Sequence, residues 1–261
     1  EEAKSAPAGF TMVDAKGATG GVTVTRQNLH TFLGVKKYRY GEREDGPQVG
    51  VVTGLAYTDR GGEILYVETA LMPGSGKVST TGQLGDVMKE SAQAALSCLR
   101  SRAEVLGIEQ DFYKTKDIHV HFPEGAVPKD GPSAGIAVTT AMLSALTGRK
   151  IRAGVAMTGE VTLRGRVLAI GGLKEKTMAA LRNGIGTVLI PADNVRDLED
   201  IDQTVRAALN FVPVSTVDQV FAAALYPAAE VPACQEKPQE SPLAAFAPTG
   251  EPAAVKTRLS L

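Results

Sequence analysis

The chain has 261 residues, of which 43% are hydrophobic and 22% charged, so it can bury one substantial core and has a globular composition. Its net charge is −1, and acidic and basic residues are interspersed along the sequence. There is no basic stripe for nucleic acid and no apolar run near the roughly 20 residues that span a bilayer. These features argue against nucleic acid and membranes as partners.

The beginning of the sequence and its cysteines bear on the compartment. Residues 1–4 lack the basic start and apolar stretch of a secretory signal. Cys98 falls in a helical pattern and Cys234 in a polar tail, so no disulfide between them is expected. The sequence therefore predicts a cytoplasmic protein.

Three segments of the chain differ in character. Residues 1–47 mix glycine and charge around one short helical signal, which starts after Thr25 and stops at Gly34. Residues 48–226 carry dense strand and helix signals. Residues 227–261 are rich in proline, alanine, glutamate and serine, and this composition predicts a disordered extension.

Strand and helix patterns alternate within residues 48–226. Strands are predicted at 49–57, 63–71, 118–122, 155–161, 167–170, 187–190 and 211–214, with the pair at 155–161 and 167–170 as a hairpin. Helices are predicted at 84–106, 133–146, 173–182, 195–201 and 217–225, and residues 74–82 as a loop. The alternation predicts the α/β class, as a single compact domain of mixed sheet and helices.

Ser133 is the first candidate for chemistry, in the sequence Asp-Gly-Pro-Ser-Ala-Gly at 130–135. The helix that follows is apolar all round, so we expect it in the core with its start at the surface. Its first N–H groups lack intrahelical partners and provide donors for a developing oxyanion. The alternative is that Ser133 only caps the helix, a position where serine is common.

Lys176 is the second candidate, 43 positions further along the chain. It lies on the apolar stripe of helix 173–182, whereas Lys174 is about 200° away around the helix and should reach solvent. Burial lowers the pKa of a lysine from about 10.4, so a neutral Lys176 could accept the proton of Ser133. The alternatives are a lysine that extends along the edge of the core or pairs with a carboxylate.

Two other chemistries have weaker support. His119 and His121 share one face of a strand and could supply a histidine base or metal ligands, but they lack further ligands. The sequence Gly-Ser-Gly-Lys at 74–77 resembles the end of a phosphate-binding loop, but Leu71 and Val78 stand where that motif needs Gly and Ser or Thr. No metal or nucleotide site is predicted in this chain.

Four motifs, in this order and spacing, resemble the proteolytic domain of the ATP-dependent Lon proteases. They are Asp-Gly-Pro-Ser-Ala-Gly at 130–135, Met-Thr-Gly-Glu at 157–160, Gly-Gly-Leu-Lys-Glu-Lys at 171–176 and Thr-Val-Leu-Ile-Pro at 187–191. The segments 52–55 and 119–125 extend the resemblance over 48–226. It implies Ser133 as nucleophile, Lys176 as general base and Thr158 as the hydroxyl that orients the lysine. It also implies a supporting turn of Asp130, Gly131, Pro132 and Ala134.

The same resemblance implies partners that the chain itself does not contain. It implies a serine endopeptidase that degrades misfolded and regulatory proteins, assembles into a six-membered ring and follows an AAA+ module using ATP and magnesium. Residues 1–47 are expected to be the end of that module and its linker, which makes the chain a piece of a longer protein. The chain alone is then expected to bind no cofactor and to cleave peptides or unfolded proteins.

Three alternatives stay open from the sequence. The chain could be a catalytically silent Lon-like module for assembly or partner binding, or another Ser/Lys hydrolase such as an amidase. A turn could also bring Asp130 to Lys176, where the carboxylate would hold the lysine protonated and inactive. Equally, Asp130 could only accept backbone N–H bonds within the turn.

Overall fold

The computed structural model describes residues 10–13, 19–22, 24–25, 28–34, 46–58, 61–123 and 127–227. The predicted disordered extension lies outside these residues apart from Pro227, and so does much of the segment 1–47. Cys98 is a free, buried thiol, and Cys234 is outside the described ranges. Within those ranges, no helix is both long and apolar enough to cross a membrane.

The elements of the described chain alternate for most of its length. The strands are β1 Phe10–Val13, β2 Thr19–Val22, β3 Val51–Thr58, β4 Gly61–Pro73, β5 Val78–Thr81, β6 Lys116–His121, β7 Val155–Met157, β8 Glu160–Val161, β9 Val167–Leu168, β10 Thr187–Pro191 and β11 Asn210–Val214. The helices are α1 Leu29–Leu33, α2 Asp86–Ser101, α3 Ala103–Leu106, α4 Phe112–Thr115, α5 Gly135–Thr147, α6 Leu173–Arg182, α7 Gln203–Ala208 and α8 Val217–Ala224. Two 3₁₀ helices span Pro132–Ala134 and Ala192–Asp200.

A seven-stranded mixed sheet organises the domain, in the order β11-β10-β7-β3-β4-β6-β5. Strand β4 is antiparallel to both of its neighbours, β3 and β6, whereas the other neighbouring strands run parallel. Two small antiparallel pairs, β1 with β2 and β8 with β9, lie apart from this sheet. The predicted α/β class with a mixed sheet is confirmed.

Helices cover both faces of the sheet. Along β10, Leu189 belongs to one apolar cluster while Val188 and Ile190 belong to another, as expected when alternate side chains point to opposite faces. Helix α5 packs into the first cluster and is buried continuously from Gly135 to Ser144, because it is apolar on all sides. Helix α6 packs into the second cluster through Leu173 and Ala180. The sheet thus lies between α5, which directly follows the turn of the candidate serine, and α6, which carries the candidate lysine.

Several predicted elements need correction. The helix predicted at 84–106 is interrupted at Arg102, which has φ −121° and forms an ion pair with Asp218. The hairpin predicted between 155–161 and 167–170 is wrong for residues 155–157, because they form β7 in the main sheet. Only the two-residue strands β8 and β9 pair with each other. The predicted loop 74–82 contains edge strand β5, and the helix predicted at 195–201 is a 3₁₀ helix.

The short helix of the first segment forms as predicted. Its N-cap residue is Asn28 and not Thr25, the N-cap expected from the sequence. Thr25 and Asn28 exchange hydrogen bonds just before the helix, with each side-chain oxygen accepting from the other residue's backbone N–H. Helix α1 ends at Gly34, where φ is 72°. Its apolar side chains Leu29, Phe32 and Leu33 are exposed, so this helix has no core of its own within the described chain.

Candidate active site

The turn before α5 presents Ser133 at the surface end of a buried helix. Gly131 has φ 131°, a conformation that side chains disfavour, and Pro132 then opens the 3₁₀ helix that contains Ser133. The carbonyl of Ser133 accepts the N–H of Gly159 at 2.8 Å, and the N–H of Ile136 donates to the carbonyl of Gly159 at 3.0 Å. These bonds fix the serine against the chain that follows β7.

Lys176 is the fourth residue of α6. The helix begins after Gly172, which has φ 68°, and its apolar stripe runs through Leu173 and Ala180. Only 3% of Lys176 is exposed, whereas Lys174 is exposed on the same helix. The predictions that Lys176 is buried and that Lys174 reaches solvent are both confirmed.

Three side chains from different elements meet at this point. The Nζ of Lys176 is 3.0 Å from the Oγ of Ser133 and 3.1 Å from the Oγ1 of Thr158. Thr158 is fully buried directly after β7, and its hydroxyl donates to the carbonyl of Ser133 at 3.4 Å. The structure therefore brings together the three residues that the motifs single out.

Burial governs the charge of the lysine. Desolvation lowers the pKa of Lys176 from 10.5 to about 8, because a charged ammonium is disfavoured away from water. No described carboxylate forms an ion pair with it. The neutral fraction of the amine near physiological pH is consequently far larger than that of an ordinary lysine.

Asp130 makes backbone contacts instead of meeting the lysine. Its Oδ1 accepts the N–H of Met88 at 2.9 Å and the N–H of Gly131 at 2.9 Å. The sequence left open whether Asp130 contacts Lys176 or accepts backbone N–H bonds, and the structure shows the backbone bonds. The carboxylate ties the serine turn to the start of α2.

A cavity of about 600 Å³ opens over the serine and the lysine. One wall is the end of β3 with the start of β4, and the other walls are the segments 127–133 and 169–172. Most of the side chains that line it are apolar, among them Leu55, Ile64, Met88, Val127 and Ile170. Such a cavity suits an extended, partly apolar ligand.

The backbone donors at the helix start are fewer than the sequence predicts. The N–H of Gly135 donates to the carbonyl of Pro132, and that of Ile136 to Gly159. No acceptor for the N–H of Ser133 is found in the described chain. Within the described residues, the N–H of Ser133 is therefore a donor without an acceptor, next to the serine's own hydroxyl.

The weaker candidates lie elsewhere. The hydroxyl of Thr81 bonds the Nε2 of His119 at 2.9 Å and the Nδ1 of His121 at 2.7 Å, and neither histidine lines the cavity at Ser133. Among the described residues, no group of three or more His, Cys, Asp or Glu could hold a metal.

The loop at 74–77 is already occupied by a side chain. The Oδ1 of Asp117 accepts the backbone N–H groups of Ser75, Gly76 and Lys77 at 2.8–3.0 Å. These bonds lower the pKa of the Asp117 carboxyl, because they favour its charged form. A carboxylate thus fills the place where a phosphate would bind.

Sequence reasoning missed Gly159 and Met88 as parts of the site. Gly159 acts through its backbone N–H and carbonyl, and Met88 acts through its backbone N–H and through its side chain in the cavity wall. No pattern of side chains in the sequence reveals these contacts. The only available signal is that Gly159 lies within the motif at 157–160.

A hydroxyl at a helix start, a buried amine beside it and an apolar cavity above them form the kind of site that defines serine hydrolases with a lysine base. The family described as Lon protease (S16) C-terminal proteolytic domain matches residues 23–227, and the chain belongs to this family. The match begins within the segment 1–47, so the predicted domain boundary at 48 stays a prediction.

Named relatives agree with the family match. The Lon protease of Nitratidesulfovibrio vulgaris is 60% identical over 223 residues, which are 85% of this chain and 27% of that protein. Lon protease 1 of Bacillus subtilis (strain 168) and the Lon protease of Escherichia coli (strain K12) are each 58% identical over 204 residues, 78% of this chain and 26% of each relative. The chain spans about a quarter of the length of these relatives.

Proposed function

We propose that this chain is the proteolytic part of an ATP-dependent serine endopeptidase of the Lon type, with Ser133 as nucleophile and Lys176 as general base. The observation that carries the proposal is the 3.0 Å separation between the Nζ of Lys176 and the Oγ of Ser133 below an apolar cavity. A base must be neutral, and burial gives this amine a pKa of about 8.

The first half of the reaction transfers the acyl group to the serine. The neutral amine of Lys176 takes the proton of Ser133 while the Oγ attacks the peptide carbonyl carbon, and the N–H of Ser133 stabilises the oxyanion. When the tetrahedral intermediate collapses, the C–N bond breaks and the Lys176 ammonium gives its proton to the leaving amine. An ester on Ser133 and a neutral Lys176 remain.

The second half consumes one water molecule. Lys176 takes a proton from the water while its oxygen attacks the ester carbonyl. The C–O bond to Ser133 then breaks, the Oγ recovers the proton from Lys176, and the carboxylic acid product leaves. The protonation state of the enzyme is unchanged after one cycle.

Thr158 is proposed to orient the base. Its oxygen accepts one Nζ–H of Lys176, and its own proton is directed to the carbonyl of Ser133. The nitrogen lone pair of a neutral Lys176 is then free to face the hydroxyl of Ser133. The turn of Asp130, Gly131, Pro132 and Ala134 holds the serine in register with this lone pair.

The lowered pKa has a large effect on the fraction of active base. At pH 7.5, a lysine of pKa 8 is neutral in about one quarter of molecules, against about one in a thousand for an ordinary lysine. Burial thus raises the fraction of Lys176 that can accept a proton by roughly two orders of magnitude at this pH.

The remaining features of the whole enzyme are proposals that rest on its relatives. Because relatives named Lon protease are about four times as long as the part matched, we infer an AAA+ module in the same chain that uses ATP and magnesium. The substrates are then misfolded and regulatory proteins, and the assembly is a homohexameric ring. Cytoplasmic localisation stays a prediction from the sequence.

A comparison of substrates tests the proposal. This chain is expected to cleave a fluorogenic peptide and an unfolded protein but to leave a tightly folded protein intact. A silent assembly module would cleave none of these, and a small-molecule amidase would hydrolyse only small amides. Degradation of the folded protein by this chain alone would contradict the division of labour between the two modules.

A further inference from the structure

The start of β4 touches α6 at the turn that carries Lys176. A Cβ atom built on Gly62 would lie 1.9 Å from the carbonyl oxygen of Glu175 and 2.9 Å from the backbone nitrogen of Lys176. Real Cβ atoms essentially never approach another atom within 3.0 Å. The missing side chain at Gly62 therefore allows strand and helix to meet backbone to backbone.

Two more contacts join the same hairpin, β3 with β4, to the two ends of α6. At the C-terminal end, the Nη2 of Arg182 donates to the carbonyl of Gly62 at 2.8 Å. At the N-terminal end, the ring of Tyr57 packs against Gly172, where a Cβ would lie 2.9 Å from the ring Cγ. The hairpin thus contacts α6 at its start, its middle and its end.

The position of α6 determines whether Lys176 can reach the hydroxyl groups of Ser133 and Thr158. The Nζ of Lys176 reaches two hydroxyls that belong to other elements, Ser133 before α5 and Thr158 after β7. Both are fixed by backbone bonds, of Ser133 to Gly159 and of Thr158 to Leu189. If α6 moves away from the hairpin, these acceptors cannot follow it.

We infer that Gly62 is a positioning residue for Lys176: by having no side chain, it sets how closely α6 approaches the sheet and hence the distance from Nζ to the Oγ of Ser133. The inference rests on the proposed function of Ser133 and Lys176. An alanine at Gly62 must separate the hairpin from α6 by about 1 Å to reach permitted contact, and a displacement of about 1 Å can cost a hundredfold in rate.

Gly62→Ala is the test variant, and Gly186→Ala is its matched control. A Cβ on Gly186 would meet nothing within 4 Å, so the control makes the same chemical change without a clash. For Gly62→Ala we expect kcat for a fluorogenic peptide to fall about a hundredfold. We also expect the pH midpoint of kcat to rise, because a displaced amine gains water and its pKa returns towards the ordinary value.

The pH midpoint separates a positioning role from a purely structural one. The other titratable side chains that line the cavity are Tyr57, Glu63, Lys129 and Asp130, and all of them are retained in these variants. When each rate is divided by the folded fraction measured at the same pH, a loss of folded protein does not move the midpoint. An unchanged kcat, an unchanged midpoint or a rise in KM alone would overturn the inference.

Arg182→Gln keeps the inference testable if Gly62→Ala does not fold. This variant introduces no clash, and Arg182 is exposed, so the fold is expected to persist. Loss of its bond to Gly62 should lower kcat and raise the pH midpoint, as expected for Gly62→Ala. Wild-type values of both quantities would overturn the inference. Ser133→Ala and wild type are measured alongside, since an inactive wild type or an active Ser133→Ala would refute the proposed function instead.

Discussion

The Nζ of Lys176 contacts the Oγ of Ser133 at 3.0 Å without any described carboxylate to balance an ammonium charge. Its other partner, Thr158, is also neutral. Because a buried ammonium without a counter-charge is unfavourable, the arrangement favours the neutral amine. The pair is therefore poised for proton transfer from serine to lysine.

The first prediction concerns the pH dependence of peptide cleavage. Lys176 must be neutral to accept a proton, so the rate should be low in acid and rise with a midpoint near the pKa of about 8. Lys174→Met, at an exposed position on the same helix, should keep this midpoint. A midpoint near 6.5 would indicate a histidine base instead, and one near 10 a solvated lysine.

A second prediction concerns stability. The pKa of Lys176 is about 8 in the folded chain and 10.5 when unfolded, so the unfolded state binds more protons between these values and stability rises with pH across this window. Below pH 8 Lys176 is protonated in both states, and burial of its charge lowers the free energy of unfolding by the full amount of about 3 kcal/mol. Lys176→Met removes this dependence.

The difference in unfolding free energy between Lys176→Met and wild type should therefore shrink by about 3 kcal/mol between pH 7 and pH 10.5. Denaturant unfolding at several pH values measures it. Lys174→Met is the matched control and should show no such change relative to wild type. A constant difference for Lys176→Met would show that burial does not perturb the lysine.

The third prediction addresses Thr158. Thr158→Val keeps the buried volume but removes the oxygen that accepts from Nζ. Lys176 becomes positively charged as it takes the serine proton, and a hydrogen bond to a charged group contributes about 1.5–3 kcal/mol. We expect kcat to fall about tenfold to a hundredfold. Thr158→Ser retains the hydroxyl and should preserve most of the activity. Equal kcat values for the Val and Ser variants would show that the hydroxyl of Thr158 does not orient Lys176.

The fourth prediction tests whether Asp130 only accepts backbone N–H bonds in the serine turn or also holds Lys176 protonated. Its carboxylate accepts the N–H groups of Met88 and Gly131, so Asp130→Ala should lower activity and melting temperature, while Asp130→Asn keeps an acceptor and should lose less. The pH midpoint should stay at the wild-type value in both. A midpoint shifted to lower pH would show that the carboxylate does hold the lysine protonated.

Much of the site is predictable because its residues follow simple patterns. The apolar stripe of helix 173–182 places Lys176 inwards and Lys174 outwards, and the Gly-Pro turn before an apolar helix marks Ser133. The contact between Lys176 and Ser133 is a tertiary contact that neither pattern contains. The close approach at Gly62 is equally invisible, since a glycine in a strand does not reveal which helix lies against it.

The elements that the sequence reading missed are short or depend on distant partners. Strand β5 has mostly polar side chains and is held by pairing with β6, a long-range contact. Helix α7 buries only Val205, too little for a periodic signal. The break between α2 and α3 lies at Arg102, which bonds Asp218 on α8. For β5 and for the break between α2 and α3, tertiary contacts decide the local structure.

The role of Lys176 can be measured as the rate at which an active-site-directed serine reagent labels Ser133, followed against pH in wild type and Lys176→Met. We expect labelling of Ser133 in wild type with a midpoint near pH 8, no labelling in Ser133→Ala, and labelling at least about a hundredfold slower in Lys176→Met. Equal labelling rates in wild type and Lys176→Met would contradict the role of a buried, neutral lysine as the base that activates Ser133.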